Sequence, residues 1–290
     1  MLDYPKVREW QSGDVRQAYT ARDTMLYALG LGLGADPLDQ RQLSHVYEKN
    51  LSALPTMAAV LGSPGFWMRE RKELGIDAGK LVHGEQALVV HQPLPIAARV
   101  VGRTRVTRVV DKGEGKGALL HVEKQLLEDQ SETLFATVQS VYFLRGDGGF
   151  SAAGRGGDAA APAPPAMPES APELTRDLPT RPDQALLYRL CGDMNPLHAD
   201  PEIAARAGFA RPILQGLATW GMAGYGLVVA CGDGVATRLA RLSARFAAPV
   251  YPGETIRLEC WRIAQDETAF RARVLERDLV VLSHGRAHWR

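Results

Sequence analysis

The chain has 290 residues, 46% hydrophobic and 23% charged, a length that suits two modest domains or one large one. A net charge of +1 carries no excess of the kind nucleic-acid or membrane partners require, and the composition excludes a disordered, collagen-like or coiled-coil chain for the bulk of the protein. The three cysteines, Cys191, Cys231 and Cys260, are odd in number and lack CxxC spacing, so neither a disulfide framework nor a zinc ribbon is supported. With no apolar signal core in MLDYPKVREW and no serine-lysine-leucine tail, the expectation is a cytoplasmic protein.

In chain order, the first distinctive segment runs from Tyr27 through Gly34, Asp36 and Pro37 to Asp39, and an apolar stretch containing glycine follows it. Strand-like runs come next at 86–90, 98–110, 117–128 and 133–143, rich in Val and Thr, with the turn Asp111-Lys112-Gly113-Glu114-Gly115 predicting a hairpin. Residues 146–182 are dominated by Gly, Ala and Pro and show no periodicity, which predicts a linker between repeats at 1–145 and 183–290.

The second half opens on Tyr188-Arg-Leu-Cys-Gly192-Asp193-Met194-Asn195-Pro196-Leu197-His198. Aligned on the prolines, Gly34 matches Asp193, Asp36 matches Asn195 and Asp39 matches His198, so the halves read as diverged copies of one unit. Asp200 as N-cap, Pro201 at the first turn and Gly208 beyond the end bracket a short helix. Residues 213–232 contain 20 positions without a charge, long enough to span a bilayer. Gly216, Gly221, Gly224 and Gly226 there favour a helix wrapped by protein, so no membrane association is expected. Strands at 237–246, 255–264, 268–276 and 279–289 repeat the first half. A long central helix followed by consecutive strands, twice over, predicts an α+β fold with antiparallel sheet curling around each helix.

Asp193 and His198, five apart, would point about 140° away from each other on a helix and to opposite faces on a strand. Asn195-Pro196 favours a turn instead, and Gly192 adds freedom ahead of it, so a tight loop can aim Asp193, Asn195 and His198 at one point. A carboxylate and an imidazole there can share a water. Asx turns and a loop-bracing histidine explain the same residues without chemistry. A metal site from Asp193, His198 and Asp200 lacks the i, i+4 histidine pair of zinc helices, and no metal is expected. Gln215-Gly216 begins the long helix, whose first N–H groups suit a developing oxyanion, although simple helix packing accounts for the glycine equally well. His45, His91, His121, His284 and His288 lack partner spacing and read as structural.

The motif Tyr188-x-x-x-Gly192-Asp193-x-Asn195-Pro196-Leu197-His198 resembles the signature of type 2, (R)-specific enoyl-CoA hydratases, the MaoC-like hot-dog family. AGFARPILQGLATWG (207–221) and SARFAAPVYPGET (243–255) are similar to the family's next blocks. In the first half, YEKNLSALPTMAAVLG (47–62), LVHGEQ (81–86), PLP (93–95) and VVDKGEGKG (109–117) resemble the amino-terminal half of double hot-dog hydratases, above all the hydratase part of the peroxisomal multifunctional β-oxidation enzyme.

The resemblance implies a double hot-dog in which water adds syn to a trans-2-enoyl-CoA, or leaves the (R)-3-hydroxyacyl-CoA, with no cofactor. By motif position Asp193 and His198 form the acid/base pair, Asn195 helps hold the water, and the Gly216 N–H binds the thioester oxygen. His83, Gly84, Lys112, Met194, Pro196, Leu197 and Phe246 are expected to contact the acyl-CoA substrate. The first half lacks the pair at Gly34 and Asp39, which implies that it shelters the acyl chain. Gln215 departs from the family pattern, where His is frequent, so no side-chain role transfers to it. Two rival readings keep the fold: a thioesterase, which would carry a carboxylate on the central helix where this chain has none, or a non-catalytic acyl-CoA-binding subunit. Paired hot-dog units already occur within one chain, and a homodimer of chains is compatible with that arrangement.

Overall fold

The structure, a computed structural model, describes residues 2–154 and 156–290. Its strands are β1 (Gln11–Tyr19), β2 (Leu81–Val90), β3 (Ala98–Asp111), β4 (Ala118–Glu128), β5 (Leu134–Leu144), β6 (Leu174–Pro179), β7 (Leu239–Phe246), β8 (Thr255–Ala264), β9 (Glu267–Val274) and β10 (Leu279–Trp289). The helices are α1 (Tyr4–Arg8), α2 (Ala21–Gly30), α3 (Gln40–Val46), α4 (Trp67–Glu70), α5 (Gln184–Tyr188), α6 (Pro201–Arg206) and α7 (Gly216–Cys231).

All ten strands join one antiparallel sheet in the order β1-β3-β4-β5-β2-β7-β10-β9-β8-β6. Read outward from the β2–β7 pair, each half places its strands in the same sequence (second, fifth, fourth, third, first), so the repeat inferred from the paired prolines extends to the whole topology. Pairing from Glu85↔Arg245 to Val89↔Arg241 fuses the halves. The two antiparallel sheets expected are thus joined edge to edge into one continuous ten-stranded sheet.

The strands form where apolar residues alternate. Along β4, Ala118, Leu120, Val122 and Leu126 turn inward, with Lys124 among them. Two strands had no such signal. β1 is exposed along most of its length, and β6 lies inside the segment read as linker, yet pairs with β8 from Leu174↔Cys260 to Pro179↔Thr255.

The second half has the expected central helix. In α7 every residue from Ala218 to Val228 is buried, and a Cβ at Gly224 would stand 2.9 Å from Thr56 Cγ2, so glycine lets the first half press against it. Among the described residues no helix is long and apolar enough to cross a membrane.

Among the described residues the first half has no such helix, which corrects the expectation of one there. In its place stands a 3₁₀ turn, Pro55–Ala59. The chain leaves that turn through Gly62, at φ 58°, and its backbone lies directly on β3: a Cβ at Gly102 would fall 2.0 Å from the Gly62 carbonyl oxygen. Lys124 fastens the turn from below, its Nζ–H groups donating to the carbonyls of Ala59, at 3.0 Å, and Leu61. A buried amine takes the backbone acceptors that a longer helix would have satisfied internally.

Candidate active site

Residues 192–198 form the tight loop expected. Gly192 takes φ 122°, a conformation closed to most side chains. The Asn195 N–H donates to Asp193 Oδ1 at 3.3 Å, and Asn195 Oδ1 accepts from the Leu197 N–H at 3.2 Å, capping a 3₁₀ turn over Pro196–His198. Asn195 therefore shapes the loop through its side-chain oxygen.

His198 is buried, and its Nδ1–H donates to the Ile213 carbonyl at 2.8 Å. That bond fixes the neutral tautomer and leaves the Nε2 lone pair free. Asp193 Oδ2 lies 3.9 Å from Nε2. The separation is too long for a direct hydrogen bond and suits one water touching both groups. Burial holds the His198 imidazole below its ordinary pKa, while the Asp193 charge and the Ile213 carbonyl offset part of that effect. Asp200 is engaged elsewhere, capping α6 through the N–H groups of Glu202 and Ile203.

Ile213 is three residues ahead of Gly216, the first residue of α7, so the bond that orients His198 also ties the loop to the helix mouth. The Gly216 N–H has no intrahelical acceptor, by position. A Cβ at Gly216 would meet Phe246 Cε1 at 3.2 Å, so glycine is what lets the Phe246 ring cover this amide. The fully buried Gln215 side chain points away, its Nε2–H donating to the Ala185 carbonyl at 3.0 Å. Cys191, beside the loop, is pushed up to about 12 by burial and holds no nucleophilic thiolate.

The first half supplies the floor. A bulge between His83 and Glu85 interrupts the β2–β5 ladder at Gly84, where a Cβ would crowd the Val141 carbonyl at 3.2 Å. His83 is thereby aimed at Phe246, centroid to centroid 4.8 Å, and at Tyr142, also 4.8 Å. Burial pushes the His83 imidazole down to about 4, so it is neutral at physiological pH. Tyr142 is a site residue the sequence gave no reason to single out. Burial raises its phenol, and the charge of Asp193 adds to the rise, which places the two side chains in one electrostatic neighbourhood.

The remaining expectations divide. Pro196 and Leu197 are half-buried in the loop, and Met194 is exposed. Lys112 is exposed at the β3–β4 hairpin, its ammonium 5.9 Å from the Phe143 ring centroid, one strand position from Tyr142 and out of contact with the loop. Among the described residues no group of three or more His, Cys, Asp and Glu side chains could hold a metal ion.

Comparison with known proteins places the whole chain in one family. A MaoC-like domain model matches residues 164–283, and a model of the hydratase 2 N-terminal domain of type 2 multifunctional enzymes matches residues 17–146. The chain is 41% identical to 3-hydroxyacyl-thioester dehydratase Y of Mycobacterium tuberculosis, covering 90% of this chain and 88% of that protein. It is 36% identical to peroxisomal enoyl-CoA hydratase 2 of Arabidopsis thaliana, covering 93% and 90%. The crystal structure of a MaoC-like dehydratase from Phytophthora capsici superposes with a TM-score of 0.85 at 30% identity, covering 100% of this chain and 99% of that one.

Proposed function

Because the chain belongs to the MaoC-like, hydratase 2 family of double hot-dog dehydratases, we propose that it is an (R)-specific 2-enoyl-CoA hydratase, or 3-hydroxyacyl-CoA dehydratase in reverse. The observation that carries the reading is the gap between His198 Nε2 and Asp193 Oδ2, 3.9 Å wide, beside the first amide of α7.

A water in that gap donates one proton to His198 Nε2 and the other to the Asp193 carboxylate. As its oxygen bonds C3 of the enoyl thioester, His198 takes the first proton and negative charge moves to the thioester oxygen, where the Gly216 N–H receives it. The imidazolium, stabilised by Asp193, then protonates C2 on the face from which the water came, which makes the addition syn. Atoms and charge balance: one water is consumed and the pair is regenerated.

Residues 1–145 serve as the acyl-sheltering half, 146–182 as the connection and 183–290 as the catalytic half. The short turn at Pro55–Ala59, where a long helix was expected, supports this division. His83, Gly84 and Phe246 form the floor beneath the acyl thioester; Met194, Pro196 and Leu197 edge it; Lys112 meets a phosphate of CoA outside it. Three free thiols fit a reducing cytoplasm. Leu186, Leu190 and Met194 are exposed apolar side chains, which supports a homodimer.

Incubation with trans-2-enoyl-CoAs of increasing chain length, followed by chiral analysis of the alcohol, tests the assignment. Loss of enoyl absorbance with an (R)-alcohol product is expected. Thiol release without hydration would favour a thioesterase, and inertness toward every chain length would favour a binding subunit.

A further inference from the structure

The connecting segment is pinned to the outer face of the sheet at both ends. On the first half, the N–H groups of Gly149 and Ser151 donate to the Asp111 carboxylate at 2.8 and 2.6 Å, and the Val109 N–H donates to Asp158 Oδ2 at 2.8 Å. On the second half, Arg286 Nη2–H donates to the Ala166 carbonyl at 2.7 Å, and Trp261 Nε1–H to the Ser170 carbonyl at 2.9 Å. Between these anchors the chain passes over the β2–β7 junction, where Ala161 and Pro164 roof a cavity of about 350 Å³ on the face of the sheet away from α7. That volume is in the range of small-molecule sites.

We propose that this cavity is a second ligand site, built to hold a small phosphate ester. Its floor gathers Arg108 from β3, His121 from β4, Glu85 from β2, Arg245 from β7 and His284 from β10. Arg245 and Glu85 pair at 2.6 Å and cancel. Arg108 donates to the Ala159 carbonyl at 3.0 Å and, among the described residues, has no carboxylate in salt-bridge range, so the cavity retains one uncompensated cation. His121 lines the cavity from β4, and its Nε2 is buried beneath the cavity surface with no hydrogen-bond partner. Burial, and next the charge of Arg108, hold that imidazole below its ordinary pKa, with Glu85 and Asp158 opposing. An anion beside Arg108 compensates that charge, with the His121 ring as its neighbour.

The roof points to the rest of the ligand. Pro162, Pro164 and Pro165 deny the strap N–H donors, so it offers an apolar surface while polar recognition falls to the sheet. A compact uncharged body carrying one anionic end fits such a space. Arg108 and His121, with the Arg245 Nη groups that the Glu85 pairing through Nε leaves available, stand on three different strands, and a phosphate has three terminal oxygens to meet them where a carboxylate has two.

Titration calorimetry with adenosine monophosphate, and with benzoate as a carboxylate comparator, tests the site on the full chain. Adenosine monophosphate should bind more tightly than benzoate, and Arg108→Gln and His121→Gln should each weaken it about tenfold or more. Both variants should keep hydration of crotonyl-CoA, and the nucleotide should not raise the KM for crotonyl-CoA. Unchanged thermal midpoints establish that the variants fold; if one does not, the other decides. Absence of binding at millimolar nucleotide, affinity insensitive to both substitutions, benzoate binding as tightly, or competition with crotonyl-CoA would each overturn the proposal.

Discussion

His198 faces Asp193 across 3.9 Å while its other ring nitrogen is held by the Ile213 carbonyl at 2.8 Å. The second contact decides which nitrogen is basic, and the first leaves room for one water. In the proposed hydration neither residue suffices alone, because one supplies the lone pair and the other the charge that stabilises the resulting imidazolium.

Asp193→Asn and His198→Gln should therefore each lower kcat by about 10²–10⁴-fold with KM little changed. The double variant should be hardly worse than the poorer single, as expected of groups that act as a unit. Steady-state kinetics on crotonyl-CoA checks this, and losses that multiply would show that the two residues act independently.

The acid limb of the rate profile follows from the burial of His198. The base must be neutral, and its pKa lies below the ordinary 6.5. kcat/KM should thus be level near neutrality and decline only as pH falls through a value under 6.5. Asp193 favours the charged ring, so in Asp193→Asn the residual limb should move to still lower pH. A limb centred above 6.5, or one that rises in the variant, contradicts the assigned tautomer.

Local features of this site were legible because adjacent residues make them: Gly192 and Asn195-Pro196 bend the loop wherever the rest of the chain goes. The Tyr142–His83–Phe246 cluster was not. It depends on the register of β2 against β5 and on the bulge at Gly84, set by residues more than fifty positions apart. Strands with alternating burial announced themselves, whereas β1 is exposed on both sides and β6 sits in a Gly- and Pro-rich stretch whose partner, β8, is about eighty residues away. The first-half helix failed because apolar content was taken for length, while Pro55 and Gly62 restrict the turn to a few residues.

Gly216→Ala tests the oxyanion position. The added Cβ would lie 3.2 Å from Phe246 Cε1, so the ring must shift by a few tenths of an ångström, and Phe246 packs at a tilt against His83. A loss of about tenfold in kcat is expected, since small misplacements in such sites are costly. Phe246→Leu in the same chain should recover part of it by freeing space. If Gly216→Ala keeps full activity, or Phe246→Leu recovers nothing, the amide is not arranged as described.

Lys124 makes a prediction about stability, separate from the chemistry. Burial pulls its amine from 10.5 down to about 7, while two carbonyls of the turn that replaces the missing helix hold it in place. Between pH 7 and about 10 the unfolded chain binds a proton at this position that the folded chain does not, so stability rises with pH across that window. The rise should be on the order of 1 kcal/mol per pH unit. Lys124→Met abolishes the term and also strips two backbone acceptors of their donor. The free-energy difference between wild type and variant, measured by urea unfolding at intervals over that window, should consequently grow with pH. Tyrosines and other lysines titrate equally in both proteins and cancel from the difference. A difference that stays constant would mean that the amine remains charged beneath the turn, and that its hydrogen bonds to Ala59 and Leu61 outweigh the penalty of burying that charge.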